Sequence, residues 1–199
     1  MPKGIPLTEE EQARRRKEIF NASVHLFLDK GFNETSMREI AEAAGIGKST
    51  LYDYFPSKDD ILLSFMEDEL ENLTKRGEEI ARQDVGAQEK LRQIMFDYMD
   101  YLAAQEDFYM KLSLEVQRLA QQSLARIQVK RHAYQDLIRS VIEEGIQEGC
   151  FRAVDPLLAT RIILTALTPA VYTTRPVQSR QQMMDDAFTL LLKGLQASP

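Results

Sequence analysis

Tryptophan is absent from the 199 residues, and cysteine and histidine nearly so: Cys150 stands alone, and His25 and His132 are far apart in the chain. One thiol excludes an intrachain disulfide and any Cys-rich zinc module. Two distant imidazoles argue against a histidine-based metal cluster, so no metal and no cofactor is expected. Long apolar runs are also lacking. The longest, LLATRIILTALTPAVY over residues 157–172, carries Arg161 and falls short of the ~18–20 residues that span a bilayer. The opening MPKGIPLTEEEQARRRKEIF has no apolar core of a secretory signal. The expectation is an intracellular, cytoplasmic protein with no membrane partner, in which the N-x-[ST] sequons at Asn21, Asn33 and Asn72 are chance matches. Positive charge is not in excess either, with 25 Lys+Arg against 31 Asp+Glu, net −6. That balance argues against an unspecific basic coat protein and leaves room for a local nucleic-acid site.

What is present is ordinary globular composition, 44% hydrophobic and 28% charged, in a length that fits one or two domains. Helical periodicity dominates. From about Glu9 to Lys30, Ile19, Phe20, Ser23, Leu26 and Phe27 follow the i, i+3/i+4 spacing of one helix face, and Gly31 stops the run. Thr35 or Ser36 caps a short second helix, ended by Gly45. A third runs from about Lys48 to Tyr54, where Pro56 forbids continuation. Ser57 opens a long fourth helix to about Arg82. Further helices are predicted at about 87–104, 106–121 and 123–148, then from Asp155-Pro156 to about Thr174, and from Ser179 to about Gln196. The reading is all-α, about nine helices, divided into residues 1–56 and residues 57–199.

The densest chemistry lies in Thr35–Lys58, TSMREIAEAAGIGKSTLYDYFPSK. Ala41 and Gly45 are four apart among the apolar Ile40, Ala44, Ile46 and Leu51. This is what a helix-turn-helix needs: a small residue where the second helix crosses, a glycine for the turn, and apolar side chains that hold the crossing. In the third helix Leu51 and Phe55 face inward, leaving Lys48, Ser49, Tyr52 and Asp53 on the opposite face. A short helix with a lysine, hydroxyls and tyrosines outward suits phosphate and base contact. Gly47-Lys48-Ser49 also ends like a phosphate-binding P-loop, but the first glycine of that motif would fall on Glu42, and no strand precedes it. With no nucleophilic triad, metal set or P-loop, the chain does not read as an enzyme.

Residues 15–60 resemble the DNA-binding domain of the TetR family of bacterial transcriptional regulators. The residues that carry the likeness are Phe27-Leu28-Asp29-Lys30-Gly31-Phe32, Thr35 to Ala41, Ala44-Gly45-Ile46, and Leu51 to Lys58. A weaker echo, Glu144 to Arg152, sits where the family enters its dimerisation helices. The resemblance implies that Thr35 or Ser36 and Arg38 touch phosphate. It also implies that Lys48, Ser49 and Thr50 approach the bases of a double-stranded operator, that Tyr52 and Tyr54 grip the backbone, and that Lys58 adds a phosphate contact. Asp53 departs from the commoner neutral or basic residue; it either turns away from the duplex or accepts a hydrogen bond from a cytosine N4. The run Arg14-Arg15-Arg16-Lys17 lies among Glu9, Glu10, Glu11 and Glu18 and reads as a solvated, partly paired surface.

Met and aromatic side chains crowd the middle helices and are mostly core. The resemblance implies in addition a pocket for a small apolar or amphipathic effector, with Phe65, Met66, Met95, Phe96, Met99, Phe108 and Met110 as candidate lining. The last two helices carry more apolar surface than one partner covers. Leu158 and Ile162 on one, and Met184, Phe188, Leu191 and Leu195 on the other, are the candidate homodimer interface. Two copies related by a two-fold axis would read a palindrome. The function so implied is a ligand-responsive homodimeric repressor; a regulator acting as activator or without an effector, and a helical protein-interaction module, are the alternatives.

Overall fold

A computed structural model describes residues 8–173 and 175–196, with the side chains of all these except 109, 110, 113 and 170. Within it run nine α-helices: α1 (Glu9–Lys30), α2 (Met37–Ala43), α3 (Lys48–Tyr54), α4 (Lys58–Ala81), α5 (Ala87–Ala104), α6 (Glu106–Gln117), α7 (Gln121–Gln147), α8 (Pro156–Val171) and α9 (Arg180–Leu195). Among the described residues there is no β-strand, only an isolated bridge between Phe151 and Gln196. The all-α architecture expected from periodicity is therefore the observed one.

Side-chain caps start the helices. Thr8 and Glu11, Ser36 and Glu39, and Ser179 and Gln182 form reciprocal capping boxes at α1, α2 and α9. Ser57 accepts from the Asp60 amide at 3.2 Å before α4, and Asp155 accepts from the Leu158 amide at 2.7 Å ahead of Pro156. Backbone hydrogen bonds also end α2. The Ile46 amide donates to the Ala41 carbonyl at 3.0 Å and the Gly45 amide to Glu42 at 3.1 Å, a closure that needs the left-handed φ of +64° found at Gly45. The junction after α6 differs from expectation. The helix stops at Gln117 instead of near 121, because Arg118 and Leu119 donate three residues back, to Glu115 and Val116, and buried Leu119 leaves the helical path. The expected end of α8 at Thr174 lies outside the described residues; α8 ends at Val171.

The described residues group into two compact units. The first comprises the chain through Met66 together with 107–124; the second comprises 67–106 and the chain from Ala125 on. In the first, Ile19 and Phe27 of α1, Ile40 of α2, Leu51 of α3, Ile61 and Leu62 of α4 and Leu112 of α6 are buried almost completely. Each such side chain contributes about 1.5–3 kcal/mol of transfer free energy at most. An aromatic row joins Phe20 to Phe65 (centroids 3.8 Å apart, stacked) and Phe65 to Phe108 (4.7 Å). The α6 residues Lys111 and Glu115 hold the far end of α1, by bonds to the Leu28 carbonyl at 3.2 Å and from the Asn33 amide at 3.3 Å.

In the second unit α5 supplies Leu91, Ile94, Met95 and Met99 to a core completed by Tyr134, Ile138 and Ile142 of α7, Ile163 and Leu167 of α8, and Met184 of α9. Gly145 is where α7 meets the Phe151 ring: a Cβ there would lie 2.2 Å from Phe151 Cδ2, so no larger residue fits without a shift. Nearby, the largely buried Lys90 donates to Glu144 at 2.7 Å.

Candidate functional site

The turn closed by Gly45 delivers α3 with Leu51 and Phe55 inward and buried. Lys48, Ser49, Thr50, Tyr52 and Asp53 are then all exposed, and Tyr54 is half-buried. The Lys48 ammonium lies over the Tyr52 ring, 5.8 Å from its centroid, and makes no ion pair among the described residues. One outward face therefore gathers a free cation, two hydroxyls and an amphipathic phenol, the groups that donate to phosphate and to base edges.

The α2 side is more internally committed. Ser36 is exposed, but its hydroxyl bonds to the Glu39 carboxylate at 2.7 Å within the capping box. Glu39 also pairs with Lys30. The Lys30 ammonium, and after it Ser36, hold that carboxyl well below its ordinary range, at about 2. Arg38 is largely exposed and pairs with Glu42 one turn on at 2.8 Å, which raises its pKa. This pair is on the surface and weak enough to exchange for phosphate.

Two of the expected contact residues are engaged within the protein. Thr35 is 2% exposed, and its hydroxyl donates to the Gly31 carbonyl at 2.8 Å, so it fastens the α1–α2 loop. Lys58 donates to the Phe32 carbonyl at 2.7 Å and the Asn33 carbonyl at 3.2 Å, with its ammonium 4.9 Å from the Phe32 ring centroid. It clamps the same loop. In the basic run of α1, Arg14 and Arg15 pair with Glu18 (3.9 and 3.1 Å), and Arg16 lies 6.0 Å from the Phe55 ring centroid.

The candidate effector residues fall into both units. Phe65, Met66 and Phe108 belong to the first, where Phe65 and Phe108 build the aromatic row. Met95, Phe96 and Met99 belong to the second; Met95 and Met99 are core, and Phe96 packs on Phe188 with centroids 5.2 Å apart. The side chain of Met110 lies outside the described residues. The candidate dimer residues also divide. Leu158 and Ile162 are 55% and 53% exposed. Met184 and Leu195, in contrast, are 4% and 6% exposed and face their own core, with Phe188 and Leu191 half-buried against it. Sequence reasoning did not select Arg161, Thr165, Ala166 and Pro169, which share the exposed α8 face with Leu158 and Ile162. Their i, i+3, i+4 spacing carried that signal, but small residues do not stand out in a hydrophobicity pattern.

A long helix followed by two short ones, the last presented outward by a glycine turn, defines a helix-turn-helix DNA-binding protein. The model for bacterial regulatory proteins of the tetR family matches residues 19–65, and that for the tetracyclin repressor-like C-terminal domain matches residues 84–195. The chain belongs to the TetR family, whose members are DNA-binding transcriptional regulators and not enzymes. It is 26% identical over 157 residues to the fatty acid metabolism regulator protein of Bacillus subtilis, covering 78% of this chain and 81% of that protein. Over 199 residues it is 26% identical to the HTH-type transcriptional repressor KstR2 of Mycolicibacterium smegmatis, covering 97% and 96%. The solved structure of FadR from Bacillus subtilis, in complex with stearoyl-CoA, shares its fold with TM-score 0.77 at 24% identity, over 90% of this chain and 99% of that one. No helix among the described residues is long and apolar enough to cross a membrane.

Proposed function

We propose that this regulator is a homodimeric repressor, acting in the cytoplasm, that a small apolar or amphipathic effector releases from a palindromic operator. In this reading residues 1–56 bind DNA, and residues 57–199 bind the effector and pair the two copies. The observation that carries it is the outward face of α3, where Lys48, Ser49, Thr50 and Tyr52 stand exposed over a helix anchored by Leu51. One such helix contacts too few bases for selectivity, so two copies are required, with half-sites about 34–36 Å apart or more. The exposed α8 face with Leu158 and Ile162 supports the pairing, since monomers seldom leave a contiguous apolar stripe in water. A curated relative that regulates fatty acid metabolism and another named a repressor support an effector with an apolar body and a repressing outcome.

Release requires differential affinity. An effector that shifts a 1:99 population of DNA-incompatible dimers to 99:1 must bind that state about 10⁴-fold more tightly. The test is selection of bound duplexes from a random pool, followed by gel shift with and without candidate amphipaths. A palindromic consensus shifted by a dimer and released by a ligand is the expected result. A folded dimer that retards no selected fragment at low salt would overturn the reading.

A further inference from the structure

Tyr134 of α7 sits in the apolar core of the second unit, 3% exposed, yet its hydroxyl has no hydrogen-bond partner among the described residues. Phenylalanine would fill the same space without leaving a buried polar atom unanswered, so packing does not account for a tyrosine here. The ring is closely seated. It lies against the Tyr98 ring of α5, centroids 5.9 Å apart, and against α4 at Gly77, where a Cβ would come within 3.5 Å of Tyr134 Cε2.

A second orphan shares this neighbourhood. Asp97 of α5 accepts from Arg76 Nε at 2.7 Å through Oδ1, while its Oδ2 is buried without a partner. Burial first, and then the negative charge of Asp97, push the Tyr134 hydroxyl far above its ordinary pKa, so it is a neutral phenol that can both donate and accept. Tyr134 in the core and the half-buried Asp97 near it thus offer one donor–acceptor and one anionic acceptor oxygen, both unanswered among the described residues.

We propose that Tyr134 and Asp97 Oδ2 anchor a neutral hydroxyl group on the effector, the rest of whose body is apolar. This rests on the effector reading above and states the chemistry that the effector must carry. An alcohol carries both complementary functions, an oxygen that can accept from Tyr134 and a proton that can go to Asp97 Oδ2. An ether or ketone cannot donate and leaves Asp97 Oδ2 unanswered. A carboxylate cannot donate either, and it adds a second anion where the one cation, Arg76, is already paired with Asp97. An ammonium ion would bring a second cation to a carboxylate that Arg76 already neutralises, leaving buried charge uncompensated.

The test uses the full chain, titrated calorimetrically with 1-decanol, decyl methyl ether and decanoate, in wild type and Tyr134→Phe. The alcohol is expected to bind about tenfold or more tightly than the ether, with decanoate weakest. Tyr134→Phe should erase most of the alcohol's advantage, leave the ether unchanged, and not lower the melting temperature of the free protein. Equal binding of alcohol and ether, or a variant that keeps the alcohol's advantage, overturns the anchor and leaves the effector reading standing. A lower melting temperature in the variant also overturns it, because the hydroxyl would then be serving the core. If none of the three binds, the anchor is overturned, while the effector reading is judged by operator release in the gel shift.

Discussion

Thr35 and Lys58 converge on one short loop between α1 and α2, from opposite sides of the sequence. Thr35 answers the Gly31 carbonyl, and Lys58 answers Phe32 and Asn33. Thr35→Val keeps the shape and deletes the 2.8 Å bond, and should cost about 1–2 kcal/mol in urea denaturation. Lys58→Met keeps the stem over the Phe32 ring and loses two charge-assisted bonds, costing about 1 kcal/mol after allowance for its partial exposure. If Lys58 instead serves DNA alone, stability will be unmoved and affinity will fall. Neither placement was legible in the sequence. Thr35 and Ser36 are adjacent and both can cap a helix; the choice between them depends on where the end of α1 arrives, which is a tertiary fact. Glu39 gives a pH signature at the same scale. Its folded pKa, about 2, is below the ordinary carboxylate value, so its stabilising contribution is full above about pH 4.5 and is lost as pH falls toward 2. Glu39→Gln should therefore flatten the acid limb of stability against pH between those values. An unchanged limb would show that the Lys30–Glu39 pair does not form in solution.

At the scale of elements, the helices were legible because their ends are chemically marked. Ser or Asp precedes α2, α4, α8 and α9, and glycines close α1, α2 and α7. Gly45 is the mark that matters most for DNA, since the α2–α3 turn aims the outward face of α3. Its φ of +64° is strained for any side chain, and nothing lies within 4 Å of a Cβ built there. The cost of substitution is then backbone strain alone. Gly45→Ala should destabilise by about 1 kcal/mol or more, and Gly45→Asn by less, because asparagine tolerates the left-handed region. A thermal melt that ranks alanine above asparagine would contradict this cause. The faces of α8 and α9 were less legible. Both helices carry apolar stripes broader than one face, so periodicity alone could not tell the part bound to the home core from the part left in water. Met184 and Leu195 went to the core, whereas Leu158 and Ile162 remained exposed.

For the whole molecule that exposed stripe sets the assembly prediction. Leu158→Glu with Ile162→Glu places two carboxylates on the α8 face and should convert a dimer to monomers in sedimentation, leaving helix content intact. The double variant has little to lose in the monomer, because both sites already face water. A persistent dimer would move the interface elsewhere. The net charge of −6 bears on the other partner. In the helix-turn-helix, Lys30 is engaged with Glu39, and Lys58 with backbone carbonyls. Lys48 is free to meet phosphate, and Arg38 can exchange Glu42 for it. In the proposed dimer, two cations per subunit would neutralise about four phosphates. With a slope of about −0.9 per phosphate, log affinity should fall against log salt with a slope of about −4. Lys48→Ala removes one cation in each copy and should bring the slope to about −2, whereas Asp53→Ala, if that carboxylate turns away from the duplex, should leave base preference intact. A wild-type slope near −10 would mean that many cations beyond Lys48 and Arg38 reach the backbone.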